Sequence, residues 1–427
     1  MLFQKLNKTN FINLLFFLIP ISFIAGNLII NLNIILFIII GAIFYKFEIF
    51  KIKLVFIDKI IIVFFLYTLI IGITNNLYNY YYESSAVEFK VITKTLTYLR
   101  FLFFYFLIRF LVLKEIINFK FFFTSAGLSA LFVCIDLIIQ LTFGKDIFGY
   151  DSAYIRMLSG PFGDEWIAGS YLQRFSPFLF FLVPLFYNFK NKNIFKIFSA
   201  TLIILVLFGA LIAGNRMPFF LLLMILSLIL ILENKSRKYL LHFIIISSLV
   251  LIFVFKFKPS SYVHFNNFLT KSTKIFSAVI SSEKDFSDPV FNTHFKEFYS
   301  GYETWKESKF FGGGIKSFPQ RCVKIVINCA NHPHNYYLEI LSELGLVGFL
   351  ILSIIFGLVI YDTFIRKYLI KDNLQNNNII IPFMFLFLAE IFPFKTSGSF
   401  FTTANATYIF LVMAITIALS QSNDKKI

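Results

Sequence analysis

Apolar runs near 18 residues long recur along most of this chain, separated by short charged segments. A helix needs about 20 consecutive apolar residues to cross the hydrocarbon core of a bilayer. In lipid, each backbone polar group must find its hydrogen-bond partner within the protein, which favours helices. Only 15% of the residues are charged, against about 25% in an ordinary soluble domain. The sequence therefore predicts an all-α, polytopic integral membrane protein.

Charged loops delimit about twelve predicted spans, several of them shorter than a perpendicular crossing requires. The spans cover residues 11–26, 28–45, 60–74, 91–113, 121–142, 175–189, 197–214, 217–232, 239–257, 336–361, 379–394 and 400–420. The predicted organisation has three parts. Residues 1–257 hold helices 1–9 with an outer loop at 143–174, residues 258–335 form a large outer loop, and residues 336–427 hold helices 10–12 and a tail.

The distribution of Lys and Arg predicts the orientation. Segments on the side of the N-terminus hold 19 of these residues, whereas the short loops on the other side hold 6. Because cytoplasmic loops carry the excess of basic residues, both termini are predicted to be cytoplasmic and the long loops periplasmic. The net charge of +16 is then mostly topological, and no nucleic-acid partner is predicted. A positive outer loop fits an anionic substrate, although a solvated lysine-rich loop explains the charge equally well.

The densest polar cluster is Asn331 to Glu339, where the tenth predicted span begins. A histidine can accept and return a proton near neutral pH, so His334 is a candidate base or acceptor-positioning residue. Asn335 is of a residue type that caps helices. His332 and His334 are separated by one residue, and no further ligand stands at a zinc spacing, so no metal is predicted. The plainer interpretation is an interfacial helix entrance.

Four segments together resemble one family. The run HPHNYYLEILSELGLVG resembles the signature of the O-antigen ligase and O-antigen polymerase family of membrane glycosyltransferases. AGNRMPFF at residues 213–220 resembles the family's small-residue and Arg element, and residues 135–177 resemble its first outer loop. ETWKESKFFGGGIKSF resembles the Trp and Gly-rich stretch that precedes the run HPHNYYLEILSELGLVG, residues 332–348, which we call the histidine motif. The resemblance covers roughly residues 91–420.

The resemblance implies a GT-C-like fold in the inner membrane and an inverting, metal-independent transferase that needs no cofactor. The implied donor is a glycan on undecaprenyl diphosphate, and the implied partners also include the lipid bilayer. The acceptor is either lipid A core, for a ligase, or a lipid-linked glycan, for a polymerase. The alternative from another class is a transporter or flippase of lipid-linked saccharides. No inverted repeat with paired broken helices is visible in the sequence, which argues against that alternative.

Arginine is the expected partner of the diphosphate, because its guanidinium stays charged and offers paired donors. Arg216 stands at a tight outer connection between two apolar segments and is the first candidate; snorkelling to the interface is the alternative. The family's outer-loop Arg near the Trp has no counterpart around Trp305. Arg321 is predicted to replace it, with Arg174 as the alternative.

Further residues are assigned by location. Asp164 and Glu165 are predicted substrate contacts in the first outer loop, together with His332 and Asn335; if that loop is a strand, at most one of the two acids faces the site. Cys322 and Cys329, in an oxidising compartment, are predicted to form a disulfide. Asp136, Arg100 and Glu390 lie within predicted spans and are either functional candidates or charges that pair with one another in helix packing. Arg109 lies nearer the end of a span and is expected to snorkel.

Overall fold

All regular structure in the described part of the chain is helical, apart from one isolated bridge between Lys145 and Asp151. The structure, a computed structural model, describes residues 8–82, 89–151, 157–187, 192–234, 236–267, 270, 273, 294–325, 329–370, 378–396 and 398–424. Residues 274–293 of the predicted outer loop and 425–427 of the predicted tail therefore lie outside the described residues.

Each predicted span falls on a helix. The helices are α1 (Lys8–Ile24), α2 (Asn27–Tyr45), α3 (Phe56–Tyr82), α4 (Phe89–Tyr98), α5 (Arg100–Leu113), α6 (Phe119–Phe143), α7 (Ala168–Phe186), α8 (Lys192–Ile212), α9 (Arg216–Leu232), α10 (Leu240–Phe257), α11 (His294–Glu307), α12 (Phe318–Cys322), α13 (Tyr336–Val359), α14 (Ile380–Glu390) and α15 (Thr403–Asp424). Among the described residues, seven helices are long and apolar enough to cross a membrane. The all-helical, polytopic prediction is thus supported, and the count of twelve crossings stays a prediction.

The helices group into two compact units. The first contains residues 1–37, 115–274 and 378–389. Within it, α6 packs against α1, α7 and α8. The ring of Phe122 on α6 lies 5.1 Å from that of Phe178 and 6.0 Å from that of Phe383, distances at which aromatic rings attract each other. The many Phe residues therefore form the packed core of this unit.

The second unit contains residues 38–114, 275–377 and 390–427. Here α15 packs on α5, and α13 packs on α3 and α11. Arg109 donates to Asp58 at 2.7 Å, and both side chains are fully buried. Tyr105 also donates to Asp58, at 2.6 Å, and Arg109 donates to Gln421 at 2.9 Å. The prediction that Arg109 snorkels is therefore wrong: a buried carboxylate pairs with it inside the protein.

Helix α13 is broken at Gly345, whose φ and ψ are 66° and −173°. The break leaves some backbone N–H and C=O groups without a partner inside the helix. A neighbouring turn supplies their hydrogen-bond partners. The N–H groups of Leu346 and Val347 donate to the carbonyls of Lys309 and Phe310 at 2.8 and 3.1 Å. On the other side of the break, the Glu343 carbonyl accepts the Gly314 N–H at 2.8 Å. Because lipid offers no hydrogen bonds, such a break is tolerated only where protein satisfies the backbone.

Replacing Gly345 by alanine is expected to lower the free energy of unfolding by more than about 2 kcal/mol. The new methyl group would sit in a left-handed conformation 2.3 Å from the Phe310 backbone. Gly357 lies in the same helix with nothing within 4 Å of an added Cβ, so Gly357→Ala should be neutral or stabilise by up to about 1 kcal/mol. Unfolding midpoints of the two purified variants in detergent measure the contrast. Equal midpoints would contradict the role given to the break.

Candidate active site

Asn335, near the start of the histidine motif, caps helix α13. Its side-chain Oδ1 accepts hydrogen bonds from the N–H groups of Tyr337 and Leu338, at 3.0 and 3.2 Å. These are two of the N–H groups that a helix start leaves without an intrahelical partner. The Asn335 Nδ2 donates to the Pro393 carbonyl at 2.8 Å. The cap predicted from the sequence is therefore present, and it also ties the motif to the segment after α14.

His334 precedes the cap in a left-handed conformation, with φ at +52°. That conformation costs a residue with a side chain about 1–2 kcal/mol, so the neighbouring structure must hold it. The His334 Nε2 lies 3.5 Å from Oε1 of Glu297 on α11, and 32% of the His334 side chain is exposed. An imidazole that contacts a carboxylate and still reaches solvent is suited to accept a proton from a hydroxyl group.

His332 has a different environment, although its ring lies only 4.1 Å from that of His334. Burial, aided by the charges of His334 and Lys316 and opposed by Glu297, lowers the pKa of His332 to about 4. Its Nε2 is buried without a hydrogen-bond partner in the described residues. His332 is therefore neutral at pH 7, and a group that titrates between pH 5 and 8 in this motif is not His332.

Two buried carboxylates of α13 hold Lys316 and the segment before α15 in place. Glu343 accepts the Lys316 N–H at 2.8 Å, and Glu339 accepts the Phe400 N–H at 2.6 Å. The Lys316 Nζ donates to Ser399 Oγ at 2.7 Å and lies 3.9 Å from Glu339 Oε1. Lys316 also has a left-handed backbone, with φ at +69°. The two acids of the motif thus fix a lysine whose charge acts on His332.

Arg321 cross-links three helices of the second unit. Its guanidinium donates to the Ser342 carbonyl at 2.6 Å and to the Thr304 carbonyl at 2.7 Å, and its Nε lies 3.4 Å from Glu307. These contacts join α12 to α11 and α13 beside the histidine motif. They give Arg321 a structural role, and its predicted contact with a diphosphate stays a prediction.

Cys322 and Cys329 form a disulfide in the structure, with their Cα atoms 5.9 Å apart. That separation lies within the usual range of about 4.4–6.8 Å. Cys322 directly follows Arg321 and is buried. The disulfide therefore connects α12 to the chain segment that leads into the histidine motif.

The first unit contains Arg216, at the start of α9. Its Nη1 donates to the His264 carbonyl at 3.2 Å. The preceding residue, Asn215, accepts the Gly169 N–H at 3.0 Å and donates to the Trp166 carbonyl at 2.9 Å. The Arg element and the first outer loop, which the sequence gives as separate segments, are thus joined through Asn215.

Three other predicted residues also belong to the first unit. Arg174 lies within α7 and is buried, with 7% of its surface exposed. Asp164 and Glu165 lie in a turn after the short helical segment Gly160–Phe162, and both are exposed. Neither residue lies in a strand, so the alternation argument does not apply to them, and which of the two acids faces a substrate stays a prediction.

The charged residues within spans have separate partners rather than the mutual pairing considered above. Asp136 accepts the Ile147 N–H at 2.7 Å, and Arg100 donates to Thr403 Oγ1 at 3.2 Å. Glu390 lies 2.9 Å from the Lys395 Nζ. Each of these contacts anchors a loop or a helix end within its own unit. Such anchoring explains why Asp136, Arg100 and Glu390 occur in apolar segments.

Sequence reasoning did not find Glu297, Lys316 or the segment after α14 as parts of the site. Tyr336 donates to Glu390, the last residue of α14, at 2.8 Å, and Asn335 donates to the Pro393 carbonyl just beyond it. The end of α14 and the segment after it therefore hold the first turn of α13. Glu297 lies outside the four segments that carry the resemblance, and Lys316 has no assigned role within the Gly-rich one; only the fold brings them to the histidines. Among the described residues, no group of three His, Cys, Asp or Glu side chains is arranged to hold a metal ion.

The helices and this polar site define a multi-pass, all-helical membrane protein with a histidine-centred candidate active site. Residues 200–353 match the family model described as O-antigen ligase. Over those residues, the match supports the resemblance to the O-antigen ligase and polymerase family that the sequence predicts. It supports a role in cell-surface polysaccharide assembly and implies activity of the glycosyltransferase type. Comparison with curated proteins finds no significant match.

Proposed function

We propose that the protein is an inverting, metal-independent glycosyltransferase that moves a glycan from undecaprenyl diphosphate to a sugar hydroxyl at the outer face of the inner membrane. The observation that supports this most is the environment of His334. Its imidazole lies beside the Glu297 carboxylate and remains partly exposed. A hydroxyl acceptor requires a positioned base within hydrogen-bond reach, and a partly exposed imidazole held by a carboxylate meets that requirement.

In the proposed reaction, His334 accepts the proton of the acceptor hydroxyl, or positions that hydroxyl, as its oxygen attacks the anomeric carbon of the donor. The bond from that carbon to the phosphate oxygen breaks, and the electron pair leaves with the diphosphate. The new glycosidic bond forms on the opposite face, so configuration inverts. Charge accumulates on the leaving group, and cationic donors that meet it there lower the barrier.

Arg216 and Arg321 are the proposed partners of the diphosphate. Arg216 is half-buried at the start of a helix, where the helix dipole adds to its positive charge. Arg321 has only 16% of its side chain exposed and already donates to two carbonyls, so Arg216 is the stronger candidate. We further propose substrate contacts for His332, Asn335, Arg174, Asp164 and Glu165.

The acceptor distinguishes a ligase from a polymerase. Purified protein should be incubated with a labelled lipid diphosphate-linked glycan and, separately, with lipid A core or a second lipid-linked repeat unit. Transfer to the first acceptor identifies a ligase, and chain growth on the second identifies a polymerase. Absence of any glycan product with either acceptor would contradict the proposal.

Transport of a lipid-linked saccharide remains the second candidate, because a membrane protein with buried charges also suits a flippase. Proteoliposomes that carry a fluorescent lipid-linked glycan separate the two. A transferase yields a new glycan product and a lipid diphosphate without moving donor across the bilayer. Movement of intact donor without product would favour the transporter.

We also propose that both termini are cytoplasmic, on the basis of the asymmetry of Lys and Arg. Alkaline phosphatase should be active when fused after residue 300 and inactive when fused after residue 370, because only the periplasm supports its activity. The reverse pattern would place the histidine motif on the cytoplasmic side and remove the outer-face assignment.

A further inference from the structure

Helix α11 packs directly against the histidine motif. A Cβ added to Gly301 would lie 2.8 Å from the Pro333 side chain and 3.2 Å from that of Leu338, so the helix can approach this closely only with glycine there. Glu297 stands four residues before Gly301 and therefore on the same face of the helix. That face brings the Glu297 carboxylate to 3.5 Å from the His334 ring.

The contact between Glu297 and His334 is fixed from both sides. His334 stands between buried Pro333 and the capping Asn335, which fixes the direction in which its side chain leaves the backbone. On the helix, Glu297 has 23% of its side chain exposed, so the carboxylate is partly screened from water. Glu297 is therefore held by helix α11, and His334 is held by the start of helix α13.

In the described part of the chain, three segments bring charged or titratable groups to the two histidines. Glu297 comes from α11 and is acidic. His332, on the same loop, is neutral at pH 7 because of its low pKa. Lys316, from the turn after the Gly-rich stretch, acts on His332. Among these groups, Glu297 is the one that favours a positive charge on the imidazole of His334.

We propose that Glu297 is the positioning residue for His334: its carboxylate orients the imidazole and stabilises the imidazolium formed when His334 takes the proton of the acceptor hydroxyl. This inference rests on the proposed transfer reaction. The proton moves from the hydroxyl to His334 and then to solvent. Glu297 need not touch the substrate.

The matched variants are Glu297→Gln and Glu303→Gln. Glu303 lies on the same helix six residues after Glu297, and therefore on a different face, where it pairs with Lys306 at 2.8 Å. Glu297→Gln should reduce transfer about 10-fold at pH 7 and move the acidic limb of the kcat/KM profile down by about half to one pH unit, since the imidazolium loses its neighbouring charge. Glu303→Gln should leave both unchanged. Glu297→Asp, which keeps the charge, should recover part of the lost rate and reverse part of the shift of the acidic limb.

A second readout does not require activity. The chain has five histidines, so ¹³C-histidine labelling gives a simple spectrum in which the His334 signal is the one lost in His334→Gln. Its titration midpoint should fall in Glu297→Gln and stay fixed in Glu303→Gln. An unchanged midpoint and an unchanged limb in Glu297→Gln would overturn the inference. Inactivity of the wild type with every acceptor would instead overturn the proposed function, while the titration still decides whether Glu297 acts on His334.

Discussion

His334→Ala is expected to reduce glycan transfer by about 10²–10⁴-fold, the usual contribution of a general base. Donor binding should change little, because the diphosphate is assigned to arginine. His332→Ala should reduce the rate clearly less, since a pKa of about 4 makes the His332 imidazole a weak base at neutral pH. Initial rates at saturating donor, with His242→Ala on the exposed face of α10 as the control, measure the difference.

The glutamine variant separates the two roles considered for His334. Glutamine forms hydrogen bonds but has no basic nitrogen. If His334 accepts the proton, His334→Gln should be as slow as His334→Ala. If it only positions the hydroxyl, glutamine should keep much of the rate. Equal tolerance of alanine at both histidines would mean that neither carries the chemistry, and Asp164 and Glu165 would become the next residues to test.

Arg216→Lys is expected to reduce transfer by about 10²-fold, the scale on which removal of one donor to a developing negative charge acts. Lysine keeps one charge but loses the planar, paired donors that match phosphate oxygens. The protein should still insert and purify normally, since the remaining charge can occupy the same interface. The assay is transfer rate against donor concentration.

Arg237→Lys provides the matched control for Arg216. Arg237 belongs to the same unit, and its guanidinium donates to the Ile231 carbonyl outside the candidate site. The same substitution there should leave transfer unchanged. Near-normal activity of Arg216→Lys would contradict paired phosphate binding and favour snorkelling.

The parts of the fold that follow from local sequence were predictable. Membrane helices form wherever apolar runs are long enough, and each predicted span falls on a helix. The Asn335 cap was predictable for the same reason, because its partners Tyr337 and Leu338 are the next residues along the chain.

Features that depend on distant partners were not predictable. Gly345 breaks α13 because a turn at residues 309–314 supplies the missing hydrogen bonds, and the sequence of α13 alone does not contain that turn. Arg109 has the sequence context of a snorkelling residue, yet its partner Asp58 is 51 residues away. Glu297 likewise reaches His334 only because α11 folds against the motif. Such pairings require the tertiary fold.

In the proposed reaction, a glycosidic bond forms at the histidine motif while a lipid diphosphate leaves. The most direct measurement is the product stoichiometry of the purified wild-type protein in EDTA, by mass spectrometry, with His334→Ala in parallel. One lipid diphosphate should appear for each new glycosidic bond of inverted configuration, and His334→Ala should lower both together. Lipid diphosphate release without a glycan product, or an unchanged yield in His334→Ala, would contradict transfer at His334.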